Sequence, residues 1–123
     1  MTEVSVALRI LVVEDNFLAA EAASLLLEDL GHEVVGPVPS IAEALARVEQ
    51  NPIDLALLDV DVRGQVVTPV AERLRELGCP VIFVTAFTAD ALPPCCRDAP
   101  VLSKPFEEWN LRKALRSALM KDL

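Results

Sequence analysis

Aromatic side chains are scarce in this chain of 123 residues: they make up 4% of it, whereas hydrophobic residues make up 53%. A core of that composition must be built from Val, Leu, Ile and Ala, which favours aliphatic strands and alanine-rich helices. Positive charge is also short, with 11 Lys and Arg against 19 Asp and Glu and a net charge of -8. Such a surface repels phosphate backbones and excludes the basic stripe that nucleic-acid binders use. Long apolar runs are missing too; every run falls far short of the roughly 20 residues that span a bilayer. The opening MTEVSVALRILVV has no basic segment before its apolar part, so it does not read as a secretory signal. A cytoplasmic protein with neither a membrane nor a nucleic-acid partner is expected. Cysteines number three, Cys79, Cys95 and Cys96, in no metal-ligand spacing and far from His32, the one histidine. They read as reduced thiols, with a redox sensor at the adjacent pair as the alternative. No Pro/Gly/Ser-rich linker interrupts the chain, so residues 1–123 read as one domain.

What is present is an alternation of two periodicities. Arg9 to Val13 reads as a buried strand, followed by Leu18, Ala22, Leu25 and Leu26 at helical spacing up to a helix stop at Gly31. Glu33 to Val38 is a second strand; Ser40 with Glu43 forms a helix-start signal, and Ile41, Ala44, Leu45 and Val48 make the next stripe. Ile53 to Leu58 is a third strand and Arg63-Gly64-Gln65 a loop. Val67, Val70, Leu74 and Leu77 mark a helix stopped by Gly78. Val81 to Val84 is the fourth strand and Val101-Leu102 a very short fifth. Phe106, Leu111, Leu115, Ala118 and Leu119 mark the last helix. Between strands four and five, Pro93-Pro94 interrupts any helix begun near Thr88, so a short or irregular fourth helix is expected. Strands alternating with helices imply right-handed crossovers and a doubly wound parallel α/β sheet, whose site lies beyond the carboxyl ends of the strands.

The residues at those ends are Glu14 and Asp15, then Asp59, then Thr85, then Lys104 followed by Pro105. Clustered carboxylates repel one another unless a cation joins them, and an all-oxygen set suits Mg2+ or Mn2+ better than zinc. An aspartate beside a divalent ion can attack phosphorus, and the charge spread over the transferring oxygens needs the metal, an ammonium and a hydroxyl or amide donor. Each of those parts occurs once.

With ILVVEDN, LLDVDVRG, VTA and SKPF in that order, each after a strand, the chain resembles the receiver domain of two-component response regulators over its whole length. The resemblance implies a flavodoxin-like (βα)5 fold with strand order 2-1-3-4-5. It makes Asp59 the phosphoacceptor, Asp15 a direct Mg2+ ligand, Glu14 a ligand acting largely through water, and the main-chain carbonyl of Asp61 a further one. Lys104 would pair with the phosphoryl group, and Thr85 would swing its hydroxyl onto it. The Lys104-Pro105 peptide would be cis. The implied function is a phosphoacceptor switch in two-component or phosphorelay signalling, supplied by a sensor histidine kinase or a histidine phosphotransfer protein. Partners would dock around Asn16 to Ala20 and Pro105 to Phe106, and phosphorylation could bring two copies together as a homodimer. Such a protein catalyses its own phosphoryl transfer and autodephosphorylation without being a conventional enzyme.

Three positions are unusual against that family. Val101 stands where many receivers carry Tyr or Phe, three residues before the lysine. FVTAF resembles the FATGY-like stretch of a largely single-domain subgroup, which also carries an RG-containing loop and an unusual fourth helix; Phe87 in it is a candidate replacement for the missing ring, or a cap over the strand end. Asp61 adds a carboxylate two residues past the acceptor, and it either tunes autodephosphorylation or is a solvated loop acid. Trp109 and Phe106 lie near a face that receivers use for partners, His32 follows a helix stop, and Glu107-Glu108 complements the positive end of the last helix. Two rival functions remain: a pseudo-receiver acting only through interaction, against which the complete acid, Thr and Lys set argues, and a flavin module, against which the acidic Glu14-Asp15-Asn16 turn argues. The short tail after the last helix holds no output domain, so a stand-alone regulator is expected, with a piece of a longer protein as the alternative.

Overall fold

The computed structural model describes residues 7–86 and 92–120. Its elements in chain order are β1 (Arg9–Val13), α1 (Phe17–Asp29), β2 (Glu33–Val38), α2 (Ile41–Gln50), β3 (Leu55–Asp59), β4 (Asp61–Val62), β5 (Gln65–Val66), α3 (Thr68–Glu76), β6 (Val81–Thr85), β7 (Val101–Ser103) and α4 (Glu108–Met120). Five strands form a parallel sheet in the order β2-β1-β3-β6-β7, and β4-β5 is a separate antiparallel hairpin. With the hairpin set aside, this is the expected order 2-1-3-4-5 of a flavodoxin-like fold.

Strand alternation builds two cores, one on each face of the sheet. Leu11, Val13, Ala56, Leu58 and Phe83 point to the side covered by α2 and α3, where they meet Ala44, Val48, Val70 and Leu74. Ile10, Val12, Leu55, Leu57, Ile82 and Val84 point the other way and meet Ala23 and Leu27 of α1 and Leu111 and Leu115 of α4. Both faces being covered explains why β1, β3 and β6 read as continuous apolar runs. Among the described residues no helix is long and apolar enough to cross a membrane.

The expected stripe of α1 is overturned. The helix buries Ala20, Ala23, Ser24 and Leu27, whereas Leu18 is 74% exposed and Leu25 54% exposed. In FLAAEAASLLLED nine of the thirteen positions are apolar, so periodicity alone does not select a face; close approach to the sheet favours the side carrying the small residues. Leu77 and Leu119 are exposed as well, Leu77 because it caps the end of α3. The Ser40 cap holds: its Oγ accepts from the Glu43 N–H at 3.2 Å and donates to Glu43 Oε2 at 3.0 Å.

The stretch expected as a loop at Arg63-Gly64-Gln65 is a hairpin. Arg63 and Gly64 form its two-residue turn at φ 53° and 79°, the pair of positive values that a type I′ turn demands. β3 begins at Leu55 and runs through Asp59; just ahead of it the Asp54 carboxylate accepts from the Arg9 N–H at 2.8 Å while the Asp54 N–H donates to the Arg9 carbonyl at 2.8 Å. A helix begun near Thr88 falls on residues 87–91, outside the described residues; the described part of that connection carries a 3-10 turn at Pro94–Cys96. The Lys104-Pro105 peptide is cis, as the resemblance implied, and so is Gly36-Pro37.

Gly36 sits at φ 101°, and a methyl group there would lie 2.9 Å from Val38 N and 3.2 Å from Val12 O. Gly31 also has a positive φ, but nothing lies within 4 Å of its methyl position. Gly36→Ala is therefore expected to lower unfolding stability by at least about 2 kcal/mol, and Gly31→Ala by only about 1 kcal/mol. Urea titration of both variants checks this; equal losses would show that the close packing around Gly36 is not what matters.

Candidate functional site

The sheet places each candidate side chain through the end of a strand. Glu14 follows β1, and its N–H donates to the Val38 carbonyl at 3.0 Å, tying it to the end of β2. Asp59 closes β3 in register with Val84 of β6. Thr85 closes β6, and its carbonyl accepts from the Lys104 N–H at 3.0 Å, which anchors the lysine backbone one strand away. Glu14, Asp59 and Thr85 are buried, Lys104 is half-buried and Asp15 is exposed.

Lys104 Nζ stands 2.6 Å from Glu14 Oε1 and 3.2 Å from Asp59 Oδ2, so one ammonium serves two buried carboxylates. Burial pushes the Asp59 carboxyl up to about 6, and the hydrogen bond and negative charge of Glu14 push the same way against the opposing pull of Lys104. Burial disfavours the Lys104 ammonium, but Glu14 and Asp59 outweigh it and raise its pKa. Glu14, Asp15 and Asp59 each offer a carboxylate oxygen within 4.8 Å of the others. In an octahedral Mg2+ site with bonds of about 2.1 Å, cis ligands stand roughly 3.0 Å apart and trans ligands roughly 4.2 Å. Three hard oxygens gathered this closely, faced by one cation, are the donor type that Mg2+ or Mn2+ takes.

The sequence missed the part played by the hairpin. The Arg63 N–H donates to Asp15 Oδ2 at 2.7 Å, so the turn holds the exposed carboxylate from outside. Glu14 Oε2 accepts from the Asn16 N–H at 3.1 Å, and Asn16 caps α1 through the Ala19 N–H at 2.9 Å. The Arg63-Gly64 pair was the available signal. Asp61 is exposed in β4 and pairs with Val66. Because the Val67 N–H donates to the Val60 carbonyl at 2.8 Å, the Asp61–Val66 pair is the non-hydrogen-bonded kind, which leaves the Asp61 carbonyl out of the ladder.

The remaining candidates lie apart from the acids. Val101 pairs with Phe83 and is exposed at the sheet edge. Phe87 falls outside the described residues. Phe106 is half-buried against the core and closes a cavity of about 350 Å³ that runs from Asp59, Glu14 and Lys104 to Ala22 and Leu26 of α1. Trp109 is exposed. His32 is no ligand: its Nδ1 accepts from the Leu8 N–H at 3.1 Å, and burial lowers its pKa.

Carboxylates gathered at the carboxyl edge of a flavodoxin-like sheet and met by a lysine from the last strand define a receiver. The family model for the response regulator receiver domain matches residues 10–116, and the chain belongs to that family. It is similar to the solution structure of SdrG from Sphingomonas melonis Fr1, with a TM-score of 0.84 and 43% identity over 93% of this chain and 98% of that one. The BeF3-activated conformation of SdrG matches with a TM-score of 0.79 over the same shares of both chains, at 45% identity. Among curated proteins it is 32% identical to the sensory transduction protein LytT of Bacillus subtilis (89% of this chain and 47% of that protein). It is 31% identical to the phyllosphere-induced regulator PhyR of Methylorubrum extorquens, over 92% of this chain and 44% of that protein. The chain thus spans about half the length of the curated relatives it matches.

Because the folded state holds Asp59 above its ordinary pKa of 3.8, it favours the neutral carboxyl. The stability this group contributes is complete below the ordinary value and is lost as pH rises through about 6. In metal-free buffer, Asp59→Asn is expected to be more stable than the parent near pH 8 by about 2 kcal/mol, with the gain gone by about pH 4. Thermal melts across that range check it; a gain independent of pH would remove ionisation as the cause.

Proposed function

We propose that the protein is a phosphoacceptor switch in which Asp59 takes a phosphoryl group from a phosphohistidine on a kinase or phosphotransfer protein. The observation that carries this reading is the position of the Asp59 carboxylate: buried at the end of β3, in contact with the Lys104 ammonium at 3.2 Å and beside Glu14 and Asp15. An Asp59 oxygen attacks phosphorus, the P–N bond to the donor imidazole breaks, and an acyl phosphate forms. Lys104 exchanges its contact with the carboxylates for one with the phosphoryl oxygens, and the buried Thr85 hydroxyl supplies a further donor. Glu14, Asp15, Asp59 and the free Asp61 carbonyl would hold Mg2+, or Mn2+, which supplies neutralising positive charge to the transferring phosphoryl oxygens.

The donor histidine is external, since His32 is engaged with the Leu8 amide. The protein promotes its own phosphorylation and hydrolysis rather than turning over a separate substrate. Asp61, exposed two residues past the acceptor, tunes that hydrolysis by orienting or repelling water. Phosphorylation changes the partner-binding surface, and pairing of two phosphorylated copies is one form the response could take.

Incubation with acetyl phosphate and Mg2+ is expected to add one phosphoryl group, found at Asp59 by peptide mapping, and beryllofluoride with Mg2+ is expected to shift amide resonances around Thr85 and Lys104. Asp59→Asn should abolish labelling, and Lys104→Met should slow it by on the order of 10²-fold. Failure of the folded parent to label or to respond would make the protein a pseudo-receiver that acts through interaction alone. Asp61→Asn and Asp61→Ala are each expected to change the lifetime of the acyl phosphate several-fold; an unchanged decay of the labelled protein would leave Asp61 a solvated loop acid.

A further inference from the structure

All three cysteines of the chain line one cleft of about 450 Å³, formed where the end of α3 meets the Pro94–Cys96 turn. Within it the Sγ atoms of Cys95 and Cys96 stand 2.8 Å apart. At that distance one thiol hydrogen is shared between the two sulfurs, and both cysteines are free. Cys79 is engaged elsewhere, its Sγ donating to the Pro80 carbonyl at 3.6 Å. The three thiols do not gather as a metal site: among the described residues, Glu14, Asp15 and Asp59 are the one group of three or more ligand atoms within 4.8 Å of one another.

We propose that Cys95 and Cys96 form a modification site, a vicinal dithiol that a hydroperoxide converts reversibly into a disulfide. Cys95 is half-buried and Cys96 buried, so Cys95 meets the oxidant first. Its thiolate sulfur attacks the hydroperoxide, the O–O bond breaks, and the sulfur takes the hydroxyl as a sulfenic acid while the other oxygen leaves as an alcohol or water. The Cys96 sulfur then attacks the Cys95 sulfur; the S–S bond forms, the S–O bond breaks, and the hydroxyl leaves as water with the Cys96 proton. Two thiols are oxidised by two electrons and one hydroperoxide is reduced. Burial, together with the hydrogen bond and charge of Cys95, pushes the Cys96 thiol up to about 12, which makes it a weak nucleophile toward the oxidant and leaves it to attack only the sulfenic sulfur beside it.

Neighbouring Cα atoms are about 3.8 Å apart across a trans peptide, shorter than the roughly 4.4–6.8 Å that an unstrained disulfide spans. The ring is therefore strained and readily reopened by a thiol, as befits a reversible mark rather than a structural bridge. Closing it turns the peptide between the two cysteines. That peptide's carbonyl, on Cys95, accepts from Arg75 Nη1 at 2.6 Å, so oxidation loosens the tie between α3 and the connection that leads from Thr85 to β7.

The test treats the whole chain with hydrogen peroxide, alkylates the remaining thiols and reads intact mass and peptide maps. The expected product has lost two hydrogens, keeps one alkylatable thiol at Cys79 and regains all three with dithiothreitol. Cys79→Ser should still lose two hydrogens, whereas Cys95→Ser and Cys96→Ser, checked for folding by circular dichroism, should each lose none. Loss of the product in Cys79→Ser, a disulfide-linked dimer as the main species, or retention of both alkylatable thiols after oxidation would each overturn the proposal. These readouts concern thiols alone, so they stand or fall separately from phosphorylation at Asp59.

Discussion

The contact on which the site depends is the Lys104 ammonium between Glu14 and Asp59, at 2.6 Å and 3.2 Å. Two buried carboxylates side by side repel each other and lack the solvation that would excuse them. One lysine offsets part of that cost, and the remainder shows as an Asp59 carboxyl held up near 6. With Asp15 included, three carboxylates face one ammonium, so the pocket is short of positive charge. A divalent cation or a proton relieves that shortage. The chemistry of the site follows from this imbalance more than from any single residue.

The sheet exists in the form that keeps those groups together. β1, β3 and β6 are adjacent and parallel, so their ends arrive at one edge, and β7 brings Lys104 alongside through the Thr85 carbonyl. Four strand ends held by ladder hydrogen bonds leave the carboxylates little room to move apart. The hairpin β4-β5 adds a donor from Arg63 to the one acid that the sheet does not bury. The fold as a whole is similar to that of SdrG over 93% of this chain.

Legibility varied with how local the cause was. Strands β1, β3 and β6 could be read because burial on both faces makes them uninterrupted aliphatic runs, and Ser40 could be read as a cap because its partner Glu43 is three residues away. The inward face of α1 could not, since apolar residues surround the helix and only packing against the sheet selects Ala20, Ala23 and Leu27 over Leu18 and Leu25. Arg63-Gly64 looked like a loop because a two-residue strand carries no periodicity; the pair hinted at a turn, and the two positive φ values make it the tip of a hairpin.

The sequence by itself determined which chemical groups stand at the strand ends, because parallel strands deliver the residue after each apolar run to a common edge. It also determined the balance of charge there, three acids against one lysine. Distance was left to the tertiary structure: whether Lys104 reaches Glu14 as well as Asp59, whether Asp15 meets a backbone amide, and whether Cys79 shares a cleft with Cys95 and Cys96. Those are contacts between residues far apart along the chain. They are set by how helices and turns settle on the two sheet faces, and no local pattern encodes that.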